Sequence, residues 1–560
     1  MDRIWLNSYP DAAPAEARVR AYPSLVDLFE ESCRRFAERP AFTHLDVTLT
    51  YAELERLSAR FGACLQRRFG LGKGDRIAIM LPNLLQYPVA LFGALRAGLV
   101  VVNVNPLYTA RELAQQLADC RPSAVLVLEN FAYTLQQALE SVPVPHVVTT
   151  QVGDLFPPLK RWTVNLAVKR LKRMVPRWRI AGAVGFRDAL AATPGLERAR
   201  LGADDLAFLQ YTGGTTGAPK GAMLSHGNMV ANVEQTLAWV GGTLVAGEET
   251  VVTALPLYHV FALTANLLLF VRLGGNDILV SDARDIPRLI RTMKKSRFSA
   301  MTGVNTLFNA LLDADGFDQV RRANRGALKL SVAGGMAVQR AVAERWQQAM
   351  GVPLVEGYGL TEASPNVCAN RFDAKAFSGK LGLPLPSTEV SIMDKQGDAV
   401  RLGEVGEIWV RGPQVMRGYW NRPAETASVL TPDGWLKTGD LGWMDENGYV
   451  GFTERRKDMI VVSGFKAYPS EIEQVAMLHP GVKDAGAVGA PDERSGEAVV
   501  LFVVRADSGL TADAVREHCA KYLTGYKRPR RVEFRDSLPK TPLGKIFRRR
   551  LRDDVLGADG

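Results

Sequence analysis

The sequence predicts an α/β protein whose large N-terminal domain has two α/β subdomains and a small β-barrel-like subdomain, followed by a small α+β C-terminal domain. Three observations support this fold class. The chain has 560 residues, which is too long for one hydrophobic core. Between residues 75 and 359, short apolar runs alternate with helix-length segments. After residue 387, the runs are separated mainly by turn residues.

The α/β region begins with the apolar run DRIAIML, which precedes the helix-like segment YPVALFGALRAG. Further runs of the same kind follow: VVVNV, AVLVLEN, ETVVTALPL, NDILVS, FSAMTGV, LKLSVAGG and PLVEGYG. Strands that are apolar on both faces are typical of parallel sheets covered by helices on both sides. We therefore expect parallel sheets up to about residue 359.

The next region contains four short strand-like runs: EVSIMD, GEIWVRG, GWLKTGD and GYVGFTE. They indicate an antiparallel or barrel-like subdomain. A charged cluster, ERRKD from Glu454 to Asp458, comes next, and we place the domain boundary there, with residues 1–456 in the large domain and 457–560 in the small one. The tail alternates helices with strands, in the order SEIEQVAMLHP, DAGAVGA, AVVLFVV and ADAVREHCAKYL.

Composition narrows the class of protein. With 47% hydrophobic and 23% charged residues, the chain is typical of globular proteins. The five cysteines are scattered without a CxxC pattern, which argues against structural zinc or a disulfide framework. The N-terminus lacks the apolar core of a signal peptide and no apolar run approaches the ~20 residues of a membrane span, so we expect a cytoplasmic protein.

The net charge of +10 indicates acidic partners such as polyphosphates or anionic membranes. No nucleic-acid-binding motif is present, so nucleic acid is not expected. Between Lys160 and Arg179 there are eight basic residues, no acidic ones and two tryptophans. Such a segment either lies on an anionic surface, at the inner face of the cytoplasmic membrane, or serves as a solvated connector. The sequence favours neither.

The segment from Tyr211 to Gly221, YTGGTTGAPKG, combines flexible glycines with hydroxyls and one cation. This composition predicts a phosphate-holding loop, with a plain connector as the alternative. The pattern differs from the usual mononucleotide loop because Pro219 precedes Lys220 and Gly221 follows it. We also expect the helix that begins near Ser225 to add the positive end of its dipole to this loop.

Further candidate site residues lie at predicted strand ends, where α/β folds bind ligands. They are Ala333 to Gly335, Gly357 to Glu362 and Thr438 to Asp440, with Lys545 near the C-terminus. Each has a structural explanation when taken alone, such as a core tyrosine, a turn aspartate or a solvated lysine. Taken together and in this order, they point to one site.

From about Tyr22 to Asp553, the chain resembles the adenylate-forming superfamily of acyl-CoA ligases, luciferases and peptide-synthetase adenylation domains. The bacterial long-chain fatty-acid–CoA ligases are the most similar group, through segments such as LPLYHVFALT, EGYGLTEASP, GPQVMRGYW, DGWLKTGDLGWMDENGYVGFTERRKD and LTGYKRPRRVEFRDSLPKTPLGKI. The resemblance implies two steps. A fatty acid and Mg·ATP give acyl-AMP and pyrophosphate, and CoA then takes the acyl group and releases AMP.

The resemblance also implies roles for individual residues. The ATP phosphates would be held by Thr212, Gly213, Gly214, Thr215, Thr216, Gly217 and Lys220. The adenine site would be lined by Gly335, Glu356, Gly357 and Tyr358, and the ribose would be bound by Asp440 and Arg455. Thr361 would contact the α-phosphate, Glu362 and Thr215 would bind Mg²⁺, and His259 would lie beside the carboxylate. Lys545 would bridge the carboxylate and the α-phosphate as the main catalytic residue.

The same resemblance implies that the C-terminal domain is mobile, with a hinge at Lys457. Rotation about it would withdraw Lys545 and bring the CoA-path residues Ser463, Gly464 and Phe465 to the site. Lys466 stands where the resemblance suggests a neutral polar residue. A homodimer is compatible with the resemblance.

Three alternatives stay open. The chain is a ligase for a medium-chain or aryl carboxylate, a donor of acyl-AMP to a carrier protein, or a non-catalytic acyl or nucleotide binder at the membrane. The last alternative predicts loss of Lys545, Glu362 or Thr361, and all three are present.

Overall fold

The chain starts with a segment that wraps the outside of the large domain. The structure is a computed structural model, and it describes residues 3–191, 195–212, 219–455, 458–463, 465–492, 494–541 and 544–558. We call residues 3–20 the N-terminal strap. It contains a short 3₁₀ turn, Ile4–Ser8, and precedes helix α1 (Leu25–Arg35), the hairpin β1 (Pro40–His44) and β2 (Val47–Thr50), and helix α2 (Tyr51–Ala63).

The strap is fixed to elements that lie several hundred residues further along the chain. The Ser8 hydroxyl donates to the Asn447 carbonyl at 2.8 Å, and the Ser387 N–H donates to the Ala15 carbonyl at 3.0 Å. Trp5 is 2% exposed and so anchors the strap in the hydrophobic core. The sequence pattern did not predict this structural role.

The first large sheet has the strand order β7-β6-β5-β3-β4-β8-β9 within the described residues. Its neighbours are parallel except for the antiparallel hairpin β8–β9. The strands are β3 (Arg76–Met80), β4 (Val100–Asn103), β5 (Ala124–Leu128), β6 (His146–Thr150), β7 (Val184–Gly185), β8 (Leu206–Thr212) and β9 (Lys220–Ser225). The helices are α3 (Gln86–Arg96), α4 (Ala110–Cys120), α5 (Ala132–Leu139), α6 (Pro158–Leu166) and α7 (Phe186–Ala191).

The second large sheet has the order β16-β15-β14-β13-β12-β10-β11-β1-β2, and its central strands are parallel. Its remaining strands are β10 (Thr250–Thr253), β11 (Asn276–Leu279), β12 (Ala300–Gly303), β13 (Leu330–Gly334), β14 (Leu354–Gly359), β15 (Asn366–Ala369) and β16 (Leu383–Pro384). Its helices are α8 (His226–Val240), α9 (Val260–Ala262), α10 (Leu269–Leu273), α11 (Ile286–Lys295), α12 (Asn305–Leu312), α13 (Phe317–Asn324) and α14 (Arg340–Met350). The predicted parallel α/β region is confirmed.

The third part of the large domain is a four-stranded antiparallel sheet in the order β17-β18-β19-β20, as the turn-rich sequence predicts. Its strands are β17 (Glu389–Met393), β18 (Gly406–Arg411), β19 (Leu436–Met444) and β20 (Val450–Arg455), with helix α15 (Pro423–Val429) between β18 and β19. Strand β20 ends at the charged cluster that precedes the C-terminal domain.

The C-terminal residues form an α+β unit with a hydrophobic cluster of its own, which includes Ile460, Ile472 and Leu501. Its strands are β21 (Ile460–Val462), β22 (Phe465–Ala467), β23 (Val482–Asp492), β24 (Gly496–Arg505) and β25 (Arg531–Phe534), and its helices are α16 (Pro469–Met477), α17 (Ala512–Tyr522) and α18 (Arg548–Ala558). Lys457 and the boundary at 456/457 fall outside the described residues, so the domain limits stay a prediction. Within the described residues, no helix is both long and apolar enough to cross a membrane.

Candidate active site

A cavity of about 2520 Å³ lies where the second sheet, the antiparallel sheet and the C-terminal domain meet. Parallel strands end together at one edge of a sheet, so residues that follow different strands converge there. Most of the predicted site residues line this cavity: Thr212, Lys220, His259, Gly335, Glu356, Gly357, Tyr358, Thr361, Glu362, Asp440, Arg455 and Lys545. Residues far apart in sequence therefore share one site, as the sequence predicts.

The phosphate-loop residues Gly213, Gly214, Thr215, Thr216 and Gly217 lie outside the described residues. The strands on either side are described, and Thr212 of β8 pairs with Lys220 of β9 in an antiparallel register. The prediction that a helix start adjoins the loop is wrong. Strand β9 comes between them, and α8 begins after Ser225 at the far end of that strand. The positive end of the α8 dipole is therefore separated from the loop by the length of β9, about 20 Å for six residues.

Strand β9 is bonded on both of its edges. Besides β8, it contacts the segment 417–420: the Arg417 N–H donates to the Met223 carbonyl at 2.9 Å, and the Trp420 N–H donates to the Gly221 carbonyl at 2.8 Å. The Met416 N–H donates to the Glu362 carbonyl at 2.8 Å. The base of the phosphate loop and the backbone of the predicted metal-binding residue are thus joined through main-chain hydrogen bonds.

Tyr419 links the cation and the carboxylate of this corner. Its hydroxyl donates to Glu362 Oε1 at 2.8 Å, and Lys220 Nζ lies 5.3 Å from the centroid of its ring. Burial, and next the charge of Glu362, raise the pKa of Tyr419, so the hydroxyl stays a donor at neutral pH. The sequence reasoning assigned no role to Tyr419, although it lies in the quoted segment GPQVMRGYW.

The predicted ribose site is built across neighbouring strands. Asp440 of β19 is 5% exposed and stands opposite Arg455 of β20, with 3.3 Å between Asp440 Oδ1 and Arg455 Nε. The Tyr358 hydroxyl donates to Asp440 Oδ2 at 2.7 Å. A carboxylate has about four acceptor sites, so these two partners leave room for two further donors. A pair of sugar hydroxyls is a ligand of that kind.

Glu356 provides a second buried carboxyl at the cavity wall. Its Oε1 accepts the Val338 N–H at 2.9 Å, whereas its buried Oε2 has no hydrogen-bond partner among the described residues. Burial raises the pKa of Glu356 to about 7. A buried polar atom without a partner is costly, so this oxygen is suited to a polar group of a ligand.

Lys545 reaches this site from the C-terminal domain. A tight turn positions it, because the Thr541 N–H donates to the Lys545 carbonyl at 2.7 Å. A Cβ built on Gly335 would lie 3.8 Å from Lys545 Cε, so the lysine stem passes directly over the end of β13. Gly335 has a φ of +81°, a conformation that favours glycine.

His259 also lines the cavity, at the start of helix α9. Its Nδ1 accepts the Phe261 N–H at 3.3 Å. Burial, with a further contribution from the charge of Lys545, lowers the pKa of His259 to about 4. The imidazole is therefore neutral at physiological pH, so it is suited to hydrogen bonding beside a carboxylate without adding a charge.

An apolar compartment continues from the polar part of the same cavity. It runs along the second sheet to the first residues of β12 and β13, and helices α8 and α10 cover it. We define it by Trp239, Val240, Leu269, Phe270, Ala300, Met301, Leu330 and Val332. A polar site joined to an apolar compartment suits a ligand with a charged head and a hydrocarbon body.

An ion-pair cluster holds the Lys545 segment against the large domain. Arg548 donates to both carboxylate oxygens of Glu473, at 3.0 and 2.7 Å. It also lies 3.5 Å from Glu454, in the last strand of the large domain, and 3.5 Å from Asp458. The Glu454 side chain is 1% exposed. The sequence reasoning placed the domain boundary at the cluster from Glu454 to Asp458 but did not single out Arg548 or Glu473.

The structure does not bring the predicted CoA-path residues to the cavity. Ser463 and Phe465 do not line it, and Phe465 is 59% exposed, with its ring stacked on Tyr526 at 5.0 Å. Gly464 and the side chain of Lys466 lie outside the described residues. This arrangement therefore has Lys545 in the site and the predicted CoA segment at the surface.

Known proteins are similar over the whole chain. The model of the AMP-binding enzyme family matches residues 29–420, and that of the AMP-binding enzyme C-terminal domain matches residues 471–545. A long-chain-fatty-acid–CoA ligase of Salmonella typhimurium is 52% identical over 100% of this chain and 99% of that protein. A long-chain-fatty-acid–CoA ligase of Haemophilus influenzae is 48% identical over 99% of each chain.

A solved structure shares the fold at lower identity. The crystal structure of ATP-bound MatB from Rhodopseudomonas palustris has a TM-score of 0.81 and 28% identity, covering 94% of this chain and 98% of that one. These comparisons confirm the superfamily, the fold class and the type of enzyme that the sequence predicts. The chain belongs to the AMP-binding enzyme family.

Proposed function

We propose that this protein is a long-chain fatty-acid–CoA ligase, which forms acyl-AMP from a fatty acid and ATP and then transfers the acyl group to CoA. The observation that carries the proposal is the continuity of the apolar compartment with the polar site that Lys545 and Asp440 line. The full-length relatives that carry this name support the substrate class. An aryl acid would use the apolar compartment less completely than a long alkyl chain does.

In the first step, a carboxylate oxygen of the fatty acid forms a bond to the α-phosphorus of ATP, and the bond to the bridging oxygen of pyrophosphate breaks. A weak anionic nucleophile must approach a polyanion, so positive charge matters more than acid–base catalysis. Lys545 supplies that charge at the carboxylate side, and Lys220 supplies it at the pyrophosphate side. The neutral His259 positions the carboxylate without binding it too tightly as an ion pair.

Mg²⁺ is proposed as the metal of this step. Glu362 fits it, because its carboxylate is a hard oxygen ligand at the cavity wall and the Tyr419 hydroxyl fixes its orientation. The other predicted ligand, Thr215, lies outside the described residues. A bound Mg²⁺ would neutralise phosphate charge, and the protein contributes by holding the Glu362 carboxylate in place through the Tyr419 hydroxyl.

In the second step, the CoA sulfur forms a bond to the acyl carbonyl carbon, the bond to the phosphate oxygen of AMP breaks, and the thiol proton is released. Ser463 and Phe465 are at the surface when Lys545 is in the site, so both segments cannot serve the cavity in one arrangement. We therefore propose that the C-terminal domain rotates about Lys457 between the steps.

The function is tested by pyrophosphate release with ATP and a panel of octanoate, dodecanoate, palmitate, oleate and benzoate. We expect the highest kcat/KM with palmitate or oleate. Without CoA, pyrophosphate should stop after about one equivalent per enzyme, because acyl-AMP stays bound, and CoA should restore turnover. Absence of pyrophosphate with every acid would reject the enzyme, whereas a preference for benzoate or octanoate would reject the long-chain assignment.

We further propose that helix α6 and the residues after it bind an anionic membrane surface. Leu159, Trp162 and Leu171 are 76%, 63% and 80% exposed, which is unusual for side chains of this size. Exposed cations lie beside them: Lys169, Arg170, Lys172, Arg173, Arg177 and Arg179. The helix ends before Pro176, so the segment suits a position in the plane of the interface.

Co-sedimentation with vesicles tests this surface. We expect the protein to sediment with mixed phosphatidylglycerol and phosphatidylcholine vesicles more than with pure phosphatidylcholine, and less at high salt. The double variant Trp162→Ser and Leu171→Ser should bind roughly 10²–10³-fold more weakly, since the two side chains together contribute about 4 kcal/mol when they are buried in the interface. The matched control is Leu402→Ser, because Leu402 is also exposed, at 52%. Equal loss of vesicle binding in both variants would contradict the proposal.

The homodimer stays a prediction.

A further inference from the structure

The N-terminal strap supports the wall of the apolar compartment from outside. The ring of Tyr9 packs edge-on against Trp239, with 5.1 Å between centroids and an angle of 80° between planes. Trp239 is 3% exposed, and it lines the cavity. Its indole N–H donates to the Asn370 carbonyl at 3.2 Å, which leaves the ring held between the strap and the cavity.

The strap holds Tyr9 in place through its own anchors. The Tyr9 hydroxyl donates to the Pro384 carbonyl at 2.5 Å, next to Leu385, which also lines the cavity. Further along the strap, Ala12 covers the end of α8: a Cβ built on Gly241 would lie 3.1 Å from Ala12 Cβ. The helix end that presents Trp239 and Val240 to the cavity is therefore packed against the strap.

Close packing makes this support significant for the size of the compartment. A cavity wall keeps its position only where atoms lie behind it, and removal of a ring from the second layer gives the first layer space to relax. The room available to an apolar ligand then changes although no ligand-contacting residue is altered. Differences of one methylene in such a compartment change selectivity by roughly tenfold or more.

We propose that the N-terminal strap sets the acyl chain-length preference, with Tyr9 as a positioning residue that acts through Trp239. The inference rests on the proposed function, because it requires the apolar compartment to hold the acyl chain. Loss of the Tyr9 ring lets Trp239 move outward and enlarges the compartment. Longer acyl chains then fill the added space and gain contacts, whereas shorter acyl chains lose contact with the Trp239 wall.

The test is kcat/KM for pyrophosphate release over saturated acids of increasing length, from octanoate to octadecanoate. We expect Tyr9→Ala to raise the ratio of octadecanoate to dodecanoate by roughly tenfold, mainly through KM. Tyr9→Phe keeps the ring and should retain a profile close to wild type. The matched control is Ser8→Ala. Ser8 precedes Tyr9 and also anchors the strap, through Asn447, but it does not line the cavity, so the chain-length profile should stay close to wild type.

A change of the same factor at every chain length in Tyr9→Ala would overturn the proposal, because it would indicate general destabilisation. If Tyr9→Ala does not fold, Tyr9→Leu serves the same comparison. Binding of the same acids by calorimetry, without ATP, separates this inference from the proposed function. Acids that bind but are not activated would reject the ligase while leaving the binding profile to decide on the strap. A protein that neither binds these acids nor releases pyrophosphate with them would reject both.

Discussion

Replacement of Lys545 by alanine is expected to lower the rate of adenylate formation by about 10²–10³-fold, the loss that follows removal of one preorganised electrostatic group. The lysine stem lies over Gly335, and its charge contributes to the lowered pKa of His259, so it stands where the carboxylate and the α-phosphate would meet. The measurement is pyrophosphate release in the presence of ATP and palmitate.

The second half-reaction separates this effect from a general loss of structure. Lys545→Ala should convert preformed palmitoyl-AMP and CoA to palmitoyl-CoA at a rate within a few-fold of wild type, because the lysine is proposed to leave the site for that step. Lys521→Ala is the matched control, since Lys521 is an exposed lysine of the same domain. Equal loss of both half-reactions would contradict the domain rotation.

Replacement of Arg548 by methionine is expected to destabilise the C-terminal domain by about 3–5 kcal/mol, because it leaves carboxylates buried without a compensating charge. Glu473 loses its bidentate ion pair with Arg548, and Glu454 loses its ion pair with Arg548 across the domain boundary. Adenylation should also fall, since Arg548 follows Lys545 by three residues and holds that segment against the large domain. The measurements are thermal unfolding, limited proteolysis of the C-terminal domain and pyrophosphate release.

The double variant Arg548→Met and Glu473→Gln should recover part of the lost stability, because it removes the uncompensated charge together with its partner. Arg549→Met is the control, since Arg549 is the exposed neighbour on the same helix. If Arg549→Met and Arg548→Met unfold at the same temperature, the buried ion pairs do not stabilise the domain.

The central strands of both large sheets, β3–β5 and β10–β14, were predictable because each lies in a continuous apolar run, and several of these runs are separated by helix-length segments. The same local patterns predicted that Gly335, Tyr358 and Glu362 lie at strand ends, where α/β folds bind ligands. Strand β9 was missed, since KGAMLS follows a glycine-rich loop and carries no alternation of apolar and polar residues. Its antiparallel pairing with β8 forms the strand, and hydrogen bonds to residues 417–420 cover its other edge. Those second contacts come from residues nearly two hundred positions away, so they leave no local signal.

Similar reasoning explains the other omissions. Tyr9, Tyr419 and Arg548 act through partners that are distant in sequence, and a tyrosine or arginine has no spacing that identifies such a role. Only a resemblance placed Lys545 in the site, because a lysine in a basic tail looks like an ordinary solvated cation. Candidate glycines and carboxylates at strand ends can therefore be predicted from one sequence. The residues that position them cannot.

The two bonded edges of β9 have a mechanical consequence for ATP binding. Since Lys220 and the backbone around Tyr419 belong to one continuous main-chain ladder, a displacement of either is transmitted to the other without any side-chain rearrangement. Lys220, which is proposed to face the departing pyrophosphate, and Glu362, which is proposed to bind Mg²⁺, are thus linked by main-chain hydrogen bonds. We therefore expect the two groups to keep their spacing when the polyphosphate binds and when it leaves.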